Sequence, residues 1–189
     1  MTGEELYRAV TEMGFASSLE DNEDYFFRAA NYALSTLSRT FSLSGEVRIA
    51  YTPGAAYYAE YDLTRLAPDL RSLPESPLWD GAHPLQLGRD YLYSGGRLRI
   101  AKRAPTELCL RYLRAPRPLT PDNLQEPLDV VPAAAHLPPL LVSSMLWLED
   151  RPELAGHYLA MYRAEAEELR RSLRHHSADY RVLNGWDGV

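Results

Sequence analysis

Alternation with a period of two fills the middle of this 189-residue chain and is missing from both ends. "EVRIAY" sets Val47, Ile49 and Tyr51 against Glu46, Arg48 and Ala50, the pattern of a strand with one buried face. "AAYYAEYDL", "LQLGRDYLY", "RLRIAK" and "TELCLRYLR" continue the theme. A Pro-rich connection, "APDLRSLPESPLW", and a "DGAHP" turn separate the first of these from the rest. Gly95-Gly96 and Ala104-Pro105 divide the later ones. Short strands punctuated by turns predict an inserted antiparallel β-sandwich or barrel-like domain over residues 42–125.

The flanks carry a different period. Thr2 followed by Glu5 reads as a capping box, with Leu6, Val10 and Met13 on one helical face until Gly14 stops the helix. "SLEDNEDYFFRAANYALSTLSRTF" has acids in its first turn and an apolar stripe of Tyr25, Phe26, Ala29, Ala30, Ala33 and Leu37. Beyond the Pro-punctuated return "PDNLQEPLDVVPAAAHLPP", "LLVSSMLWLED" is apolar nearly all round and predicts a buried helix. Asp150-Arg151-Pro152 breaks it, with Pro152 placed for the first turn of a long helix that puts Leu154, Tyr158, Met161, Leu169 and Leu173 on one side. The expected class is α+β. A helical hairpin (1–41) and a helical pair (126–176) are expected to form a four-helix bundle from which the inserted β domain protrudes, followed by an extended C-terminal tail (177–189).

Chemistry-bearing patterns are sparse. Gly95-Gly96 precedes a strand-like Arg97–Ile100 with no Lys-Ser/Thr ending, so it reads as a hairpin turn and not a phosphate loop. The five histidines lack metal spacing, there is no GxSxG, and Cys109 sits inside an alternating segment where a small hydrophobe is expected. The acidic runs "EDNED" and "EAEE" suit a helix start and an exposed helix face. Catalytic residues, metal ligands and cofactor contacts are all expected to be absent. A single cysteine suits a reducing compartment, and no signal peptide or membrane span is recognisable, so the expectation is a soluble protein made inside the cell.

Charge is uneven. Between Gly88 and Pro118 eight basic residues face two acidic ones, +6 in a chain of net charge −6, which leaves −12 elsewhere. Arg97, Arg99, Lys102, Arg103, Arg111 and Arg114 form a basic patch open to two uses, contact with DNA or contact with a neighbouring subunit. The overall acidity argues against a protein that coats nucleic acid. The tail adds Tyr180, Val182, Leu183 and Trp186, side chains suited to anchoring in a partner's groove.

The order of these parts resembles the head–tail adaptor (connector) proteins of tailed bacteriophages, in particular the tail-adaptor type of short-tailed phages. The resemblance lies in "GEELYRAVTEMGF…NEDYFFRAANYALSTL", in "YSGGRLRIAKRAPTELCLRYLRAPRPLTPDN", and most of all in "HLPPLLVSSMLWLEDRPELAGHYLAMYRAEAEELRRS". It implies a non-enzymatic virion protein assembled in the bacterial host. It also implies a homo-oligomeric ring, typically a dodecamer, that the isolated chain need not form. Portal and tail or nozzle proteins would be its partners, with double-stranded DNA passing through the centre. The basic hairpin is heavier than an acidic conduit suggests. The alternative reading is a module that binds a peptide or glycan on Tyr57, Tyr58 and Tyr61.

Overall fold

The computed structural model describes residues 1–15, 23–52, 58–101 and 106–183, with side chains as far as Leu173. It is an α+β protein with antiparallel sheets, divided into two compact units: Met1–Phe41 with Arg117–Val189, and Ser42–Pro116. Residues 117–125, expected in the β domain, therefore belong with the helices. Leu119 shows why, being buried in the helical core.

In the first unit α1 (Gly3–Val10) begins at the expected box: Thr2 Oγ1 accepts from Glu5 N–H, and Glu5 Oε2 accepts from Thr2 N–H. A π turn over Thr11–Phe15 ends it, with Gly14 at φ +102°. Helix α2 (Glu23–Thr40) buries Phe26, Ala29, Ala30, Ala33 and Leu37 as the stripe predicts, but Tyr25 is exposed. One residue from Phe26 is 100° of rotation, which carries Tyr25 off the narrow buried face.

Helix α4 (Pro138–Leu146) buries every residue from Pro138 to Ser144, as its all-round apolarity requires. It packs against α1, α2 and α5 (Pro152–Leu183). On α5 Tyr158, Leu159, Tyr162, Ala166 and Leu169 pack on the helical core, and Ala155, in phase with them, is buried. Met161 and Leu173, expected on the same face, are exposed: Met161 is turned about 100° from buried Tyr162, while Leu173 keeps the inward phase of Leu169 but lies past the last α5 residue packed on the helical core. The helix also runs to Leu183, so residues 177–183 are helical where an extended tail was expected. The first breaker after Pro152 and Gly156 is Gly185. Asn31 ties the return segment to α2: its Nδ2 donates to Leu119 C=O (2.9 Å) and its Oδ1 accepts from Leu119 N–H (2.7 Å).

The second unit holds two sheets around one core. In the larger, the long β8 (Thr106–Arg114) pairs with β1 (Ser44–Tyr51) on one side, and with β4 (Leu78–Asp80) and β3 (Leu70–Ser72) on the other. β5 (His83–Pro84) pairs with β4. The smaller sheet is β2 (Ala59–Asp62), β7 (Arg97–Ile100) and β6 (Tyr91–Ser94). A short helix, α3 (Leu63–Leu66), follows β2, capped by Asp62. Ile49, Tyr51, Leu78, Leu108, Leu110 and Tyr112 from the first sheet meet Tyr91, Leu98 and Ile100 from the second.

Gly95 and Gly96 make the β6–β7 turn, both at positive φ (+57° and +76°), the geometry of a two-residue hairpin. Two expectations fail nearby. The Pro-rich connection contains β3 and β4, and the first half of "LQLGRDYLY" is a turn. Gln86 C=O there accepts from the N–H groups of Arg89, Asp90 and Tyr91, and this local bonding outcompetes extension.

Gly45 lies opposite Tyr112, whose ring would stand 2.5 Å from any added Cβ. The ring is buried, and its hydroxyl is held by Asp69 Oδ1 at 2.8 Å, so it has little room to yield. Gly45→Ala is expected to cost about 1–3 kcal/mol by overpacking, read as a lower midpoint in chemical denaturation at unchanged slope. An unchanged midpoint would show that the ring moves aside freely.

Candidate interaction surface

The smaller sheet turns two cross-strand rows outward. Register aligns Glu60, Arg99 and Leu92 in one, and Asp62, Arg97 and Ser94 in the next. Glu60 bridges the rows, since its Oε2 accepts from Arg99 Nε at 2.6 Å and its Oε1 from Arg97 Nη1. The Arg99 bond, then the Arg97 bond, holds the Glu60 carboxyl below its ordinary value. Asp62 is likewise lowered, chiefly by the Thr64 hydroxyl and N–H that cap α3. Around these charges stand exposed apolar groups. Leu92 is 55 % exposed and Tyr58 46 %, with the Arg99 guanidinium 6.0 Å from the Tyr58 ring centre.

The outward face of the larger sheet is also made of opposed charges. Arg48 meets Glu107 at 3.2 Å, and Glu46 meets Arg111 at 3.7 Å. Arg111 also lies over the Trp79 ring at 4.5 Å. Arg114 Nε donates to Ser44 C=O at 3.3 Å. Cys109 sits between these pairs, opposite both Arg48 and Trp79. Burial first, then a bond to Glu46, pushes its thiol above the ordinary value, so it stays protonated and poorly nucleophilic at neutral pH.

The sequence-level patch is thus split over two sheets. Arg97 and Arg99 share one face, Arg111 and Arg114 lie on the other sheet, and Lys102 and Arg103 fall outside the described residues. Among the described residues, Glu60 engages Arg97 and Arg99, and Glu46 engages Arg111, which offsets part of the patch's positive charge where it stands. Counting charges along the chain could not show this, because Glu46 and Glu60 come from β1 and β2, well before the basic run. Nor did sequence reasoning single out Trp79, whose role depends on the β4–β8 register. Of the proposed tail anchors, Tyr180, Val182 and Leu183 belong to the last part of α5, while Trp186 and Tyr57 lie outside the described residues.

Among the described residues no group of three His, Cys, Asp or Glu side chains could hold a metal ion. None of the helices is long and apolar enough to cross a membrane among those residues. His136 instead faces Glu165 of α5 at 3.2 Å. No protein-family model matches the chain, and no curated protein does. The surface must therefore be read from its own chemistry.

The lowered Glu60 carboxyl has one sign of effect. Its pairing stabilises the native sheet above the free value of 4.5 and is lost as pH falls through the lower, folded value. A carboxyl-carbon NMR titration is expected to place the Glu60 midpoint below 4.5, and Arg99→Ala to raise it. A midpoint insensitive to Arg99→Ala would mean that the pair does not persist in solution.

Proposed function

We propose that this chain is a structural, non-enzymatic virion protein, a head-to-tail adaptor. It would dock as a ring on the portal, join it to the tail or nozzle, and let double-stranded DNA pass. The observation that carries this reading is the division of the chain. Both termini build one helical unit, and an antiparallel β unit is inserted between Phe41 and Arg117. That is the plan expected from the resemblance to phage adaptors. In the same reading the helical unit is a four-helix bundle and the β unit a two-sheet sandwich. The paired arginines also fit. A surface whose cations are engaged by carboxylates gains little from counterion release and lets DNA slide past without holding it.

The decisive experiment mixes the purified full-length chain with portal rings and follows co-sedimentation and ring formation by electron microscopy. Docking of multiple copies per portal is expected. Removal of residues 180–189 should reduce docking by about tenfold or more while leaving the helical circular-dichroism signal largely intact, as loss of an aromatic anchor would. A full-length chain that never associates with portal rings would sink the reading.

A second reading, a peptide- or glycan-binding β module, has one observation in its favour: the exposed Tyr58 ring beside Arg99. Oligosaccharides or peptides that shift the Tyr58 ring resonances at submillimolar concentration would favour it. Absence of any shift across such libraries would remove it.

A further inference from the structure

β1 is the outermost strand of the larger sheet, and among the described residues no strand pairs with its far edge. The hydrogen bond from Arg114 N–H to Leu43 C=O fixes the phase of the β1–β8 ladder. Odd-numbered residues of β1 exchange bonds with β8, so Ser44, Glu46, Arg48 and Ala50 turn their N–H and C=O groups to the open edge. The side chains of those four residues are all exposed.

Proteins usually guard a long edge with like charges, a proline or a bulge. β1 has no proline, its pairing with β8 runs without a register shift, and its two edge charges are opposite in sign. Glu46 and Arg48 therefore sum to zero and raise no barrier against a second copy of the same strand. Their spacing does more than that. A second β1 laid antiparallel about a two-fold axis at Val47 sets Glu46 opposite the partner's Arg48, and Arg48 opposite the partner's Glu46. Ser44 and Ala50 are matched in the same way. Moving the axis to residue 46 or 48 instead opposes Glu46 to itself or Arg48 to itself. Only the Val47 axis satisfies both charges, and it places the edge N–H and C=O groups of Glu46, Arg48 and Ala50 and the N–H of Ser44 in hydrogen-bonded pairs, with Ser44 C=O shared with Arg114 Nε. The in-chain pairs would extend the ladder: Glu107 with Arg48, Arg48 with the partner's Glu46, and that residue with the partner's Arg111.

We infer that β1 is a self-complementary docking edge through which two copies of this chain associate about a two-fold axis at Val47, joining their larger sheets into one. The inference is independent of the adaptor reading, because it concerns the purified chain with no portal present.

Sedimentation velocity on the full-length chain tests it. A concentration-dependent dimer is expected, and Arg48→Glu or Glu46→Arg alone should weaken it at least about tenfold by opposing like charges twice. The double exchange Glu46→Arg with Arg48→Glu should restore it. Arg48→Pro removes an edge N–H that β8 does not use, so it should leave the β unit folded and abolish the dimer. Circular dichroism on each variant checks folding. Four outcomes would overturn the inference: a wild-type chain monomeric at millimolar concentration, an association indifferent to the single charge reversals, one indifferent to Arg48→Pro in a folded chain, or a double exchange that does not restore it.

Discussion

β8 is the strand on which the larger sheet depends. β1 takes its ladder from one side of it, while β4 and then β3 take theirs from the other, so three strands from the first half of the unit are ordered by one from its end. Leu108, Leu110 and Tyr112 point into the core, and Arg111 and Cys109 point away from it. The same nine residues thus supply hydrogen bonds, core volume and outward chemistry. A break in β8 would leave β1 and β4 with no shared partner and the core open on one side. Gly45 reflects this dependence, since its missing side chain leaves room for the Tyr112 ring.

Helix α4 holds the corresponding position in the other unit. It is short and buried along most of its length, and it is in contact with α1, α2 and α5. Its lack of a polar face is the physical reason that it occupies the middle, because no orientation would give water a side to wet. Trp147 follows it, its ring tilted at 58° against Phe15 with centroids 4.2 Å apart and Arg151 over its face, its indole N–H buried without a hydrogen-bond partner among the described residues.

Strongly periodic segments were legible in the sequence. The capping box, the α2 stripe apart from Tyr25, the buried α4, the Pro152 start, β1 and the Gly95-Gly96 hairpin all follow from local rules that tertiary contacts do not contradict. The misses have a shared cause. β3 and β4 are only three residues each and sit among prolines, and they become strands because β8 offers them partners. Met161 was placed by counting large side chains, although the buried line of α5 runs through Ala155 and Ala166, and Leu173 has the inward phase but lies past the last residue packed on the core. The candidate surface was half legible. Alternation showed that Arg97, Arg99 and Arg111 face outward, but the carboxylates that meet them come from strands distant in sequence.

The insertion itself has a topological consequence. The β unit begins and ends on neighbouring strands, and Leu43 and Arg114 are joined by a main-chain hydrogen bond of 2.9 Å. The long detour between Phe41 and Arg117 is therefore closed at its base, like a noose drawn tight. Once the sheet has formed, the two halves of the helical unit are tethered as though by a short loop, and most of the closure entropy has already been met. Such a module can be exchanged for another of the same base width, or cut back to a few linking residues, without changing the path that the helices must follow.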